Sequence, residues 1–179
     1  MQAHALEGGF TNAPIDAARA FRGLMTAMAR PGTICDVSGA TAPAPLSVAA
    51  STAILTLCDP DTPIYLGAAC DTQDVRDGIP FQTGAPFAPA DKAMFAVGGW
   101  DDLPLAKFAI GTAEYPDRSA TLIVEMPELS SHGATLSGPG IKDTASLSLP
   151  DCAAFQANAM LFPLGLDFIF TCADRLAAL

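Results

Sequence analysis

Asp59 and Asp61 stand two apart in the segment Cys58-Asp59-Pro60-Asp61-Thr62-Pro63, and they are the nearest approach to a carboxylate pair in the chain. In extended backbone, residues two apart face the same side, so the pair could bind a metal ion or share a proton. The flanking prolines favour a rigid turn in which the aspartates cap backbone amides. A second candidate is Gly138-Pro139-Gly140, with Lys142 close behind. Backbone N–H groups in such a turn can cradle an anion, but Pro139 supplies no donor, and a tight structural turn is the competing reading. Arg22 and Arg30 flank the apolar face of a helix, either as a solvated edge or as contacts to an anion or a partner. Asp167, ahead of an apolar strand, reads as a cap or hydrogen-bond anchor.

The rest of the catalytic inventory is thin. His4 lies in an N-terminal arm, and His132 follows Ser130-Ser131 in a loop. No serine sits in a nucleophile elbow, and there is neither a Walker phosphate loop nor a dinucleotide fingerprint. Cys35, Cys58, Cys70, Cys152 and Cys172 form no CxxC pair, and most have apolar neighbours. They read as reduced small hydrophobes of a cytoplasmic protein, with no disulfide framework. No convergent spacing of His, Cys or carboxylates points to a metal. Lys92, Lys107 and Lys142 have no context that marks a Schiff base.

The elements that would position these residues alternate between helix and strand. Phe21, Leu24, Met25 and Met28 recur at helical spacing on one apolar face. Asp16 is the expected N-cap, and Pro31-Gly32 stops the helix near Ala29. A strand follows at 33–37, and the almost wholly apolar stretch 46–57 reads as a buried helix. Short strands are expected at 64–66, 93–97, 120–126, 135–137 and 167–171, the last taken as the final one. Further helices are expected at 71–78, 102–108 and 150–161. Phe81 to Gly84 is expected to lead into a loop. With residues 1–13 as an arm and no linker, this is one α/β domain: a mixed sheet with helices on both faces.

Composition narrows the function classes. The 179 residues are 50% hydrophobic and only 16% charged, so apolar surface must fill a large core or be covered by another subunit. The formal net charge of −10 repels nucleic acid and anionic lipid and gives a triphosphate no general attraction. No secretory signal is expected at the N-terminus, and no apolar run reaches the length of a membrane span.

Seven stretches, taken together and in order, resemble one family. They are Phe21 to Thr33, Leu55 to Thr62, Phe81 to Gly84, Gly111-Thr112 with Tyr115-Pro116, Ala120 to Ile123, Leu136 to Ile141, and Phe162 to Asp167. The chain resembles the PhnH subunit of the bacterial carbon–phosphorus lyase system from about residue 10 onward. Two departures stand out. Ala18 occupies a position where the family often has glutamine, and a Pro-Arg-Thr-Thr-like tail common in the family does not follow the last strand before Leu179.

The resemblance implies a three-layer α/β/α sandwich similar to pyridoxal-phosphate transferases but without their cofactor. It implies a homodimer that joins PhnG, PhnI and PhnJ in a core complex. With PhnL, that assembly couples a phosphonate to the ribose C1 of ATP with loss of adenine. PhnJ, a radical enzyme, then cleaves the carbon–phosphorus bond. Cluster-binding cysteines are absent from this chain, which suits a non-catalytic accessory subunit with no metal or organic cofactor. The alternative is a stand-alone phosphonate- or nucleotide-binding protein or transferase using Arg22, Arg30, Asp59, Asp61, Gly138, Gly140 and Lys142. A degenerate pyridoxal-phosphate enzyme is a third possibility.

Overall fold

The computed structural model describes residues 8–179. Most of the expected arm, including His4, lies outside the described residues. In chain order the elements are β1 (Gly9–Phe10), α1 (Ala13–Ala29), β2 (Cys35–Asp36), β3 (Ala40–Thr41), α2 (Val48–Leu57), β4 (Ile64–Leu66), α3 (Gln73–Thr83), β5 (Phe95–Gly99), β6 (Thr121–Glu125), β7 (Ala134–Leu136), β8 (Ala145–Leu147), α4 (Cys152–Ala159), β9 (Asp167–Cys172) and β10 (Arg175–Ala178).

β4, β5, β6 and β9 run parallel in a six-stranded sheet of order β2-β10-β9-β6-β5-β4, with β4 at one edge, and β10 and β2 add antiparallel at the other. The parallel strands are short apolar runs because both their faces are covered. The row Val97, Ile123 and Ile169 points to one face, and Ala96, Leu122 and Phe168 point to the other. The first face is covered by α1, α2 and α3. The second carries α4, the β7–β8 hairpin and short 3-10 turns. The mixed α/β class is as expected, but the second outer layer is only partly helical.

α2 shows why this chain folds locally as it does. The Ser47 hydroxyl caps it by accepting the Ala50 N–H at 3.0 Å. The Ser47 N–H donates to Glu125 Oε1 at 2.6 Å, and the Thr171 hydroxyl donates to Glu125 Oε2 at 3.0 Å. One carboxylate at the end of β6 thus ties the start of α2 to β9, and it sits where a helix N-terminus favours negative charge.

Several expectations are corrected. α1 starts earlier than expected: Asn12 is its N-cap, and the Asp16 carboxylate accepts the Asn12 N–H at 2.8 Å from inside the first turn. Residues 9–10 pair with β3 and are not a free arm. α3 starts after Thr72, whose hydroxyl accepts the Val75 N–H, and it runs through Pro80 to Thr83 before Gly84 closes it in the left-handed conformation. The expected helix at 102–108 is two 3-10 turns, Trp100–Asp102 and Leu105–Lys107, separated at Pro104. β8 and β10 are additional strands. β10 is paired to β9 through a two-residue turn in which Ala173 has φ 53°.

Candidate functional site

Two adjoining concavities lie at the N-terminal ends of the parallel strands. The first, about 490 Å³, runs between the β7–β8 hairpin and α4 and includes Leu136, Gly138, Pro139, Cys152, Phe155 and Gln156. No charged side chain lines it. The second, about 600 Å³, shares Asn158, Ala159 and Leu179 with the first and adds Asp117, Ser119 and Asp167. Its only ionisable side chains are carboxylates. Neither concavity presents a cationic side chain to a phosphate or phosphonate.

Asn158 organises the wall between them. Its side-chain amide donates to the Leu166 carbonyl at 2.9 Å and accepts the Leu166 N–H at 2.8 Å. This double bond pair holds the end of α4 against the entry to β9. The Phe155 ring packs on Phe168, Phe170 and Trp100, with centroids 4.8, 5.5 and 5.1 Å apart. The aromatic set supports the floor of the first cleft.

The Gly138-Pro139-Gly140 turn is seated on the C-terminal end of α1. A Cβ on Gly140 would lie 2.2 Å from the Ala29 carbonyl oxygen. A helix C-terminus carries partial negative charge, so Arg30 and Lys142 beside it complement the helix and an anion is disfavoured. Arg22, Arg30 and Lys142 are all exposed. Asp59 and Asp61 are also exposed but lie elsewhere. They precede β4 at one edge of the sheet, whereas α1 packs over β10 and β2 at the other. The Asp61 N–H donates to Asp59 Oδ1 at 2.9 Å, and the Asp59 N–H donates to the Thr62 hydroxyl at 2.6 Å. Asp59 is therefore already engaged in its own turn. The structure brings Arg30, Gly140 and Lys142 to one region and leaves the aspartates apart from it.

Sequence reasoning missed Asn158, Phe155 and Asp117, and it read Asp167 as a cap or hydrogen-bond anchor, the second of which the Ser119 hydroxyl engages. The available signal is the Phe162-to-Asp167 stretch, whose proline and glycine mark the turn that leads into β9. Burial pushes the Asp167 carboxyl above its ordinary range, partly offset by the Ser119 hydroxyl, which donates to Oδ2 at 3.3 Å. The raised value means that the native state disfavours the ionised form. Stability is therefore lost as pH rises from the unfolded carboxylate's range through the native one, and the loss persists above it. Asp167→Asn should gain on the parent in melting temperature between about pH 3 and pH 7. A flat difference between the two pH profiles would refute the assignment.

Two of the thiols, Cys58 and Cys70, are buried and not poised for reaction. Burial pushes Cys58 up to about 12, with Asp59 adding to it against the Thr62 hydroxyl. Burial also pushes Cys70 up to about 11, helped by Glu125 and Asp102. Such cysteines stay protonated and inert at neutral pH. Among the described residues, no group of three or more His, Cys, Asp or Glu is placed to hold a metal ion, and no helix is long and apolar enough to cross a membrane.

Comparison with known proteins decides the family. The family described as "Bacterial phosphonate metabolism protein (PhnH)" matches residues 8–179. The chain belongs to the PhnH family. A curated relative, the alpha-D-ribose 1-methylphosphonate 5-triphosphate synthase subunit PhnH of Rhizobium meliloti (strain 1021), is 38% identical over 193 residues, covering 99% of this chain and 94% of the relative. The ordered stretches from Phe21 to Asp167 thus identify the PhnH family correctly.

Proposed function

We propose that the chain is an accessory, non-catalytic subunit of the carbon–phosphorus lyase core complex, working in the cytoplasm beside PhnG, PhnI and PhnJ. The complex couples a phosphonate to the ribose C1 of ATP with loss of adenine, and a partner subunit then breaks the carbon–phosphorus bond. The name of the Rhizobium relative, a synthase subunit, supports this reading. So does the lack of a cation lining either concavity. The proposed layer order includes a likeness to pyridoxal-phosphate transferases, without their cofactor.

The observation that carries the proposal is the outer face of α1. Phe21, Met25 and Met28 are 49, 51 and 42% exposed, while the helix is anchored through buried Ala20, Leu24 and Ala27. A helix held by that buried face cannot turn the other inward. Large apolar side chains in a row on a rigid helix mark a surface that another chain covers. The row follows the helix, so two-fold packing of α1 on its copy would bury both rows, and the free chain is read as a homodimer.

Co-expression with PhnG, PhnI and PhnJ, followed by size exclusion of the tagged complex, tests the reading. Stoichiometric co-elution is expected, with turnover of the complex falling when this chain is left out. Elution of the chain by itself, with its melting temperature raised by millimolar ATP or methylphosphonate, would favour the stand-alone binding protein or transferase.

A further inference from the structure

The end of α4 forms an apolar knuckle whose two large tips are the most exposed of the large hydrophobic side chains. Met160 and Phe162 are 85 and 86% exposed, and Leu161 between them is also exposed. This is not a loose loop. The Leu161 N–H donates to Asn158 O at 3.0 Å, Phe162 N–H to Ala159 O at 3.3 Å, Leu164 N–H to Leu161 O at 2.9 Å and Gly165 N–H to Ile110 O at 3.0 Å. The Asn158 side chain clamps Leu166 beneath them. The knuckle is thus built in advance, and little ordering entropy opposes its insertion into a pocket.

The surface at its base is acidic. Phe162 borders the 600 Å³ concavity that contains Asp117 and Asp167. The Ser119 hydroxyl takes one oxygen of Asp167, leaving the other for a donor. The nearest cation in sequence, Arg118, is laid over the Tyr115 ring at 3.9 Å and does not line the concavity.

The geometry points to this knuckle as the docking surface for a partner protein that offers an apolar pocket to Phe162 and Met160 and a basic side chain, arginine or lysine, to Asp117 and Asp167. A second copy of this chain is the poorer occupant. A two-fold contact would turn the same carboxylates toward each other, between chains that each carry a net charge of −10. Apolar anchors in a pocket with a charged rim are the arrangement in which a few side chains dominate binding.

This inference rests on the subunit reading, and the test separates the two. The tagged chain, a Met160→Ser/Phe162→Ser variant and an Asp117→Lys variant are each co-expressed with the other subunits of the complex. Co-elution, affinity by interferometry, oligomeric state and melting temperature are then measured. The double variant is expected to bind at least tenfold more weakly, with its melting temperature and self-association unchanged. Asp117→Lys, at an exposed position, is expected to weaken binding and flatten its dependence on salt. Both variants binding like the parent would overturn this inference and leave the subunit reading standing. Failure of the parent to co-elute would overturn both. A double variant that loses self-association would place a second copy on the knuckle and overturn the inference as stated.

Discussion

Phe170→Ala is expected to be the most damaging single truncation in the chain, costing about 3–5 kcal/mol. Phe170 is fully buried in the middle of β9. Its ring stacks with Phe168 at 6.2 Å and meets Phe155 edge-on at 5.5 Å. Phe155 is the side chain through which α4 joins the sheet, and Trp100 packs on both Phe155 and Phe168. Truncation at Phe170 removes apolar contact and leaves a void that the three remaining aromatic rings cannot close without leaving their rotamers. At about 2–4 °C per kcal/mol for a domain of this size, the melting temperature should fall by roughly 6–20 °C. The chain has one tryptophan, so emission from Trp100 reports the same cluster. It should shift to the red in the native baseline. Phe170→Leu, which keeps most of the volume, should cost about 1–1.5 kcal/mol. A Phe170→Ala loss below about 1 kcal/mol would mean that α4 and its cleft are not packed on β9.

The contrast between strands that could be read and those that could not has a physical cause. β6 and β9 are runs of β-branched and aromatic residues covered on both faces, so their composition carries the signal. β10, Arg-Leu-Ala-Ala, has little strand propensity, and its conformation comes from pairing with β9 across the Ala173-Asp174 turn. Such a strand is visible only when its neighbour is known. α1 illustrates a different limit. Helical periodicity placed its apolar residues on one side, but did not say which of them face inward. The buried ones are mainly small, Ala20 and Ala27 with Leu24, and Leu24 and Ala27 share a core cluster with Ala49, Ala50 and Ala53 of α2. Small side chains allow two helices to approach closely, while bulky Phe21, Met25 and Met28 are turned outward. Size was thus a poor guide to burial on this helix.

The candidate site was legible in its turns and illegible in its neighbours. Asp59 caps a local amide, as two prolines in six residues suggested, because every participant is within three positions of it. The environment of Asp167 depends on Ser119, 48 positions away, and on the clamp that Asn158 places on Leu166. Neither distance nor burial of that kind has a local signature. The acidic base of the knuckle emerges only when β9 lies beside the residues that precede β6.

Gly140→Ala and Gly138→Ala separate a turn that serves the fold from one that serves a ligand. Gly140 has φ 80°, and its missing Cβ faces the Ala29 carbonyl oxygen at 2.2 Å, with Pro31 Cδ at 3.0 Å. The obstacle is backbone at the end of a long helix, so it cannot rotate aside, and a positive φ adds its own strain. Gly140→Ala should therefore cost about 2–4 kcal/mol and loosen the turn from α1, lowering the melting temperature by roughly 4–16 °C. Gly138 has φ 146°, but a Cβ there meets nothing within 4 Å. Only the backbone preference is lost, about 1–2 kcal/mol. Denaturant melts of the two variants side by side should show the larger fall at Gly140, with no ligand present. Equal losses would mean that the turn does not rest on α1. If instead Gly138→Ala abolished a melting shift produced by ATP or methylphosphonate in the parent, the turn would be holding a ligand. The close approach of Gly140 to a carbonyl, at the negative end of a helix, argues for the first outcome: this glycine is required because the chain passes over α1 with no room for a side chain.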